Sequence, residues 1–326
     1  MKLYIDKEHF KALAMSRSSE HFANCKLMLQ QDCDIVLTFA KHEIPNIGKK
    51  QEILAAQDLI KQLQVNRGKS APVAENGALP SFENTEENFE KYTSLYFVDS
   101  PNTQKGLICP PVGEEVKALS SLYVGNRYIP TKMYYTPEMR DWSVIEQDAT
   151  CCTDIIITDQ FIFAQSDIHY QKNAYDLICS LCKKSVDVKV NIVIFTLDTY
   201  KDGDTTGTVN FTSIARNLKS KVAEVTNIEP NITFVKLPIR EEHDRKIFIN
   251  YKSFSSGDSF KYFIEKGGEV VFVSNGRDLY ANTHIDRDIH ENSKRFIEDL
   301  QKIVNDRKSG LNAIIGDQKS NFLQFT

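Results

Sequence analysis

From about residue 151 to the end, apolar positions follow two alternating rhythms. TDIIITDQFIFA is apolar almost without a break and predicts a strand. YQKNAYDLICSLCKK has helical spacing, with Tyr175, Ile178, Cys179 and Cys182 on one stripe. VKVNIVIFTL predicts a second strand, and its unbroken apolar run implies burial on both faces. VNFTSIARNLKSKVAEV then predicts a helix and NITFVKLPI a strand. HDRKIFINYKSF and GEVVFVSN predict two further strands before the amphipathic helix NSKRFIEDLQKIVNDRK. Strands alternating with helices of this length form right-handed crossovers. The expected fold class is α/β, with a largely parallel mixed sheet flanked by helices.

The first half is less regular. MKLYID and DCDIVLTFA predict short strands, and KKQEILAAQDLIKQLQ an amphipathic helix closed by Asn66-Arg67-Gly68. Residues 68–90 lack periodicity and carry much Pro, Gly and Asn, which predicts a long exposed, flexible loop. KYTSLYFVD reads as a strand, and 100–141 is irregular. The expected division is an N-terminal α/β region, 1–148, followed by a second domain, 149–326. The pattern gives the first region no role beyond room for a protein partner.

Composition narrows the class. The chain is 41% apolar and 26% charged over 326 residues, the balance of a folded globular protein. No apolar run approaches the ~18 residues of a membrane span, and MKLYIDKEHF lacks the apolar core of a signal peptide. A net charge of −4 gives no global attraction to nucleic acid or anionic lipid, so phosphate binding would be local. Seven scattered cysteines fit a reducing, cytoplasmic setting better than a disulfide framework. Cys179-Ser-Leu-Cys182 has redox or zinc spacing but lies on a helical stripe with no partner pair, and reads as core packing. His9, His21, His42 and His290 read as surface residues. His284 and His290, with Asp286 and Asp288 between, form a weak metal pattern. Trp142 and the tyrosines of 123–135 read as packing residues. No cofactor or metal is expected.

Candidate chemistry concentrates in REEHDRKIFINYKSFSSGDSFKYF, residues 240–263. On a strand His243 and Arg245 share one face and can converge on one phosphate. Arg245 supplies a planar fork of donors suited to phosphate. The turn Ser255 to Ser259 adds hydroxyl and backbone donors where Gly257 permits close approach. Alone, such a His-Asp-Arg triplet reads as a surface salt-bridge cluster.

The counted spacing changes that. His243-x-Arg245, four residues, Asn250, six residues, then Gly257 resembles the phospholipase D-like superfamily, whose motif runs H-x-K, four residues, D, six residues, G-S-x-N. Over roughly residues 152–305 the chain is more closely similar to the phospholipase D-like domain that follows MIT (microtubule-interacting and trafficking) domains. Asp159-Gln160-Phe161-Ile162 occupies the place of that family's Asp-Pro-Tyr-Ile motif, and His243-Asp244-Arg245 matches its His-Asp-Arg.

The resemblance implies His243 as nucleophile, Arg245 as phosphate clamp and Asp159 as the supporting carboxylate. Asn250, Ser256, Gly257 and Ser259 are implied as phosphate-binding positions. It departs from the pattern where Asn250 replaces the motif Asp, and only one H-x-K-like motif is present, so a homodimer would supply the second histidine. Three functions stay open: a phosphodiesterase, foremost a nuclease; an inactive module binding phosphate, lipid headgroups or nucleic acid; and a partner-binding scaffold. Nuclease is preferred to lipid hydrolase because no amphipathic membrane-binding segment is visible.

Overall fold

The computed structural model describes residues 1–64, 73–83, 88–99, 105–124, 129–134, 139, 141–163, 170–202, 205–237, 245–266, 269–272, 278–310 and 312–325. The chain forms two compact units, one of Met1–Pro130 with Thr283–Asn292 and one of Thr131–Asn282 with Ser293–Thr326.

In the first unit, β1 (Lys2–Ile5), β2 (Asp34–Leu37), β3 (Val73–Ala74) and β4 (Leu95–Phe97) form a parallel sheet in the order β3-β2-β1-β4. Helices α1 (Lys7–Met15), α2 (Phe22–Gln31) and α3 (Lys50–Gln64) pack with it. Helix α3 is the predicted amphipathic segment, and Ala55, Ala56, Leu59, Ile60 and Leu63 form its buried stripe. Its expected cap at Asn66-Arg67-Gly68 lies outside the described residues. Part of the expected loop at 68–90 does too, yet Val73–Ala74 pairs with β2. KYTSLYFVD is only partly strand, because the short helix α4 (Asn88–Thr93) takes its first residues.

Two histidines expected at the surface are buried. His9 lies on the inner stripe of α1 beside Phe10 and Leu13, its Nδ1 2.7 Å from Glu115 Oε1 at the start of α5 (Glu115–Ser120). The Gly113 amide donates to both Glu115 oxygens at 2.9 and 3.0 Å, and Gly113 holds φ +96, a conformation that suits glycine. His290 Nε2 lies 3.0 Å from Thr93 Oγ1. Sparse polar spacing on an amphipathic helix does not separate a partnered inner histidine from an outer one.

The second unit holds an eight-stranded mixed sheet, formed by β5 (Thr131–Tyr134), β6 (Asp154–Thr158), β7 (Asn191–Thr196), β10 (Asn231–Lys236), β11 (Arg245–Ile249), β12 (Lys252–Ser256), β15 (Leu279–Thr283) and β16 (Ile314–Gly316). The order is β16-β10-β7-β6-β11-β12-β15-β5. Its centre, β10-β7-β6, is parallel, as the βαβ pattern predicts. The described part of HDRKIFINYKSF, RKIFINYKSF, is a hairpin rather than one strand: β11 turns at Asn250-Tyr251 and returns as β12, and β11 is antiparallel to both β6 and β12. Two small hairpins, β8 (Thr199–Asp202) with β9 (Thr205–Thr208) and β13 (Phe263–Lys266) with β14 (Glu269–Phe272), lie outside the large sheet. The unit begins at Thr131, before the residue 149 expected, because β5 pairs with β15.

Strand register fixes what covers each face. Ile155, Ile157, Ile194 and Phe234 share one face, on which Phe234 meets Phe211 of α8 (Phe211–Thr226) at 4.7 Å between ring centroids. Behind α6 (Ser143–Glu146), a π-helical turn, Gln171–Tyr175, continues into α7 (Asp176–Cys182). Cys182 is fully buried there, in keeping with core packing. On the opposite face Phe248 meets Phe322 edge-on at 4.9 Å. Lys246 Nζ stands 4.3 Å above the Phe296 ring of α9 (Arg287–Lys308). No helix among the described residues is long and apolar enough to cross a membrane.

A buried lysine gives the unit a pH signature. Lys252 at the start of β12 is fully buried, and desolvation pushes its pKa down to about 7 against the attraction of Asp148. Asp148 also accepts from Lys132 Nζ at 2.8 Å and from the Tyr134 hydroxyl. Between pH 7 and 10.5 the unfolded chain carries a proton on Lys252 that the folded chain lacks. This residue therefore makes stability rise with pH across that window. Urea unfolding should show Lys252→Met more stable than the wild type near pH 7, with the gap shrinking towards pH 10. A gap that widens would contradict the assignment.

Candidate functional site at the carboxyl end of β6

Strand β6 ends at Thr158, and the backbone continues one ladder step further, with Asp159 N donating to Phe195 O at 3.1 Å. Asp159 is 2% exposed. Its Oδ1 accepts from Phe161 N at 2.9 Å, and its Oδ2 accepts from Ser259 Oγ and Phe260 N, both at 2.7 Å. Burial pushes its pKa above the usual carboxylate value, and these hydrogen bonds oppose the shift by favouring the charged form. The carboxylate thereby ties the Ser256–Lys261 turn to the end of a core strand.

Arg245 reaches the same place from the other side. Lys246 pairs with Thr158, so Arg245 is one residue beyond that pair, level with Asp159. Arg245 also pairs with Ser256 on β12. Alternation puts Arg245 on the face of Ile247 and Ile157, the one under α7 and α8. Arg245 is half-buried.

The turn is built by short local hydrogen bonds. Asp258 N donates to Ser256 Oγ at 3.2 Å, Ser259 N donates to Asp258 Oδ1 at 2.8 Å, and Ser256 Oγ also meets the Tyr262 hydroxyl. Gly257 is exposed at its tip. Lys261, half-buried, has its pKa lowered by burial against the attraction of Asp159 and Asp258. Its Nζ lies 5.8 Å from the ring centroid of Phe161, which is 37% exposed.

The sequence-derived positions thus divide. Asp159, Arg245, Ser256, Gly257 and Ser259 gather at one end of the interior strands β6, β11 and β12. His243 lies outside the described residues. Asn250 does not belong with the others: it sits at the opposite end of β11, five residues or about 16 Å of strand from Arg245. It is fully buried, where its Oδ1 accepts from Thr153 N at 2.9 Å and Asp154 N at 3.2 Å. Its Nδ2 donates to Thr153 Oγ1 at 3.0 Å. The amide fastens the start of β6 to the hairpin turn, which places it away from any ligand held at Arg245. Lys261 and Tyr262 were missed in the sequence. The Lys-Tyr pair after the Gly turn was the available signal, and the hairpin made it hard to place.

Asp154, at the start of β6, is another buried carboxylate. It accepts from Ser320 Oγ and Asn321 N at 2.8 Å, and from Asn321 Nδ2 at 2.7 Å. It holds the C-terminal segment rather than a ligand. Among the described residues no group of three His, Cys, Asp or Glu side chains could hold a metal ion.

Comparison with protein-family models and with curated proteins finds no match. Among solved structures, the chain is similar to TrmBL2, an archaeal chromatin protein whose structure shows a novel mode of DNA binding. The identity is 12%, with a TM-score of 0.26. The match covers 58% of this chain and 59% of that one, so less than two thirds of the relative is spanned. A likeness of that size carries no argument about function.

The geometry makes Asp159 a test of turn positioning. Asp159→Asn must point an NH₂ at Phe161 N–H or at Phe260 N–H, whichever way the amide turns. One buried donor is left unmatched, at a cost of about 1–3 kcal/mol. Denaturant unfolding should show that loss. An Asn variant as stable as the wild type would remove the carboxylate from this role.

Proposed function

We propose that the second unit is a phospholipase D-like domain that recognises a phosphodiester at the carboxyl end of β6. The observation that carries this reading is the convergence of Arg245 with the Ser256–Lys261 turn around Asp159. A half-buried guanidinium, an ammonium within reach of the same edge, serine hydroxyls and turn amides together suit the non-bridging oxygens of a phosphate. The site lies beyond the carboxyl ends of parallel strands, where open α/β sheets bind their ligands.

In this reading the reaction is hydrolysis of a nucleic-acid phosphodiester. The His243 imidazole forms a bond to phosphorus as the bond to the leaving oxygen breaks, and Arg245 holds the two non-bridging oxygens. The leaving oxygen takes a proton from a second imidazole, which the single motif requires from another copy of the chain. Water then attacks phosphorus, giving a proton back to that second imidazole as the phosphorus–histidine bond breaks and His243 is released. Asp159 is a positioning residue, since its oxygens already accept three protein hydrogen bonds.

The variants His243→Ala and Arg245→Ala separate recognition from chemistry. Binding and cleavage are measured on single-stranded DNA, duplex DNA, RNA and phosphoinositide vesicles. His243→Ala should abolish turnover and keep affinity within a few-fold. Arg245→Ala should weaken binding by about 1.5–3 kcal/mol, the worth of a hydrogen bond to a charged group. Wild type that binds but never cleaves, with both variants weakened alike, would mark a recognition module. Variants indistinguishable from wild type on every ligand would overturn the site.

A further inference from the structure

A cavity of about 550 Å³ opens on the same face of the second unit, past the carboxyl end of β7. Tyr170, Gln171 and Tyr175 of the π-helical segment form one side. Asn210, the cap of α8, and Asn217, about two turns along it, form another with Tyr200 of β8. None of its lining residues carries a formal charge. We infer that this cavity is a nucleobase subsite, taking an unstacked base of a single-stranded nucleic acid whose phosphodiester lies at Arg245. The inference rests on the phosphodiester reading and specifies its substrate.

Three observations carry it. The first is chemical. Aromatic rings beside primary amides, with no fixed charge, match a flat neutral heterocycle that stacks on one surface and presents paired donors and acceptors along its edge. An anion or a cation would find no counter-charge there, and the volume falls within the range of small-ligand pockets.

The second is how Tyr200 is placed. It pairs with Gly207 across the β8–β9 hairpin, and its ring lies over that glycine. A Cβ at Gly207 would stand 2.4 Å from the Tyr200 ring carbon Cζ. Glycine at this position therefore allows the ring to lie against the backbone, with Tyr200 only half-buried.

The third is the connection to the phosphate edge. The strands β6 and β7 are parallel neighbours whose ends are stitched by Leu197 N to Gln160 O at 3.1 Å, next to Asp159. The π-helical turn faces both places. Its Asn173 side chain donates to Phe263 O at 2.8 Å and accepts from Phe263 N at 2.9 Å, two residues from Lys261. Gln171 and Tyr175, on either side of Asn173, line the cavity. The π turn is a helix distortion of a kind frequent at functional sites. The Trp142 indole N–H donates to Lys172 O at 2.9 Å and stabilises the irregular turn.

The test uses the full chain and two fluorescent probes of equal length, a single-stranded DNA of about ten nucleotides and its abasic counterpart, which keeps every phosphate. Wild type should bind the base-bearing strand at least tenfold more tightly. Tyr200→Ala and Gly207→Ala should each erase most of that preference, a loss of roughly five- to hundredfold for a stacked base. Affinity for the abasic strand should not change. Asn217→Ala, at an exposed helix position, gives a second variant with little risk to folding. Equal affinity of wild type for both strands overturns the base subsite and leaves the phosphodiester reading standing. So does equal weakening of both strands by Tyr200→Ala. Failure of wild type to bind either strand overturns this inference, and failure on duplex DNA, RNA and phosphoinositide vesicles as well removes the phosphodiester reading. Preference for a neutral disaccharide over both strands would assign the cavity to another class and overturn the base subsite.

Discussion

A carboxylate buried in a protein interior is costly unless its lone pairs are used, and Asp159 meets that constraint at the end of a core strand. Its two oxygens collect Phe161 N–H, Phe260 N–H and the Ser259 hydroxyl. Those three donors come from two segments about a hundred residues apart in sequence. Satisfying one charge therefore fixes where the turn after β12 lies relative to β6. Arg245 needs no such tie, because the antiparallel register of β11 already brings it level with Asp159. The candidate site is thus a consequence of ladder pairing plus one buried acceptor.

The same economy of connections explains the placement of the cavity. The π-helical turn spends its irregular geometry on presenting Asn173 to Phe263 while its neighbours open towards α8 and the β8–β9 hairpin. Positions 171 and 175, about one turn apart, both face the cavity, while Asn173 between them points the other way, towards Phe263. The Lys172 carbonyl of this turn accepts from the Trp142 indole N–H. Trp142 in turn packs on Tyr262 and Phe263, with ring centroids 5.5 and 5.6 Å apart. A distortion in one element is therefore supported by packing from two others.

Much of this architecture is legible in the chain. Continuous apolar runs predicted β6, β7 and β10, and their helical separators predicted the parallel centre of the sheet, because period and burial act locally. Asp159, Arg245, Ser256 and Ser259 were named through the motif resemblance, and these four positions lie together. Asn250 could not be placed that way. Its role depends on the turn between β11 and β12, and the apolar pattern of IFINYKSF hides a hairpin whose turn residues are Asn and Tyr rather than Asn-Gly. His9 and His290 were misread for a related reason: the partners that make them core residues, Glu115 and Thr93, are distant in sequence. The cavity left no linear trace, since its walls come from a helix distortion, a hairpin and a helix amino end.

The central claim is that the edge formed by Asp159, Arg245 and the Ser256–Lys261 turn holds a phosphate. Its most direct test is a crystal structure of the full chain soaked with tungstate, a heavy phosphate mimic with strong anomalous scattering. The account predicts one ordered oxyanion at the carboxyl end of β6, with Arg245 nitrogens about 2.7–2.9 Å from its oxygens. The Asp159 hydrogen bonds to Ser259 and Phe260 should be unchanged. Tungstate bound elsewhere with that edge empty, or an Arg245 side chain turned away from it, would contradict the account.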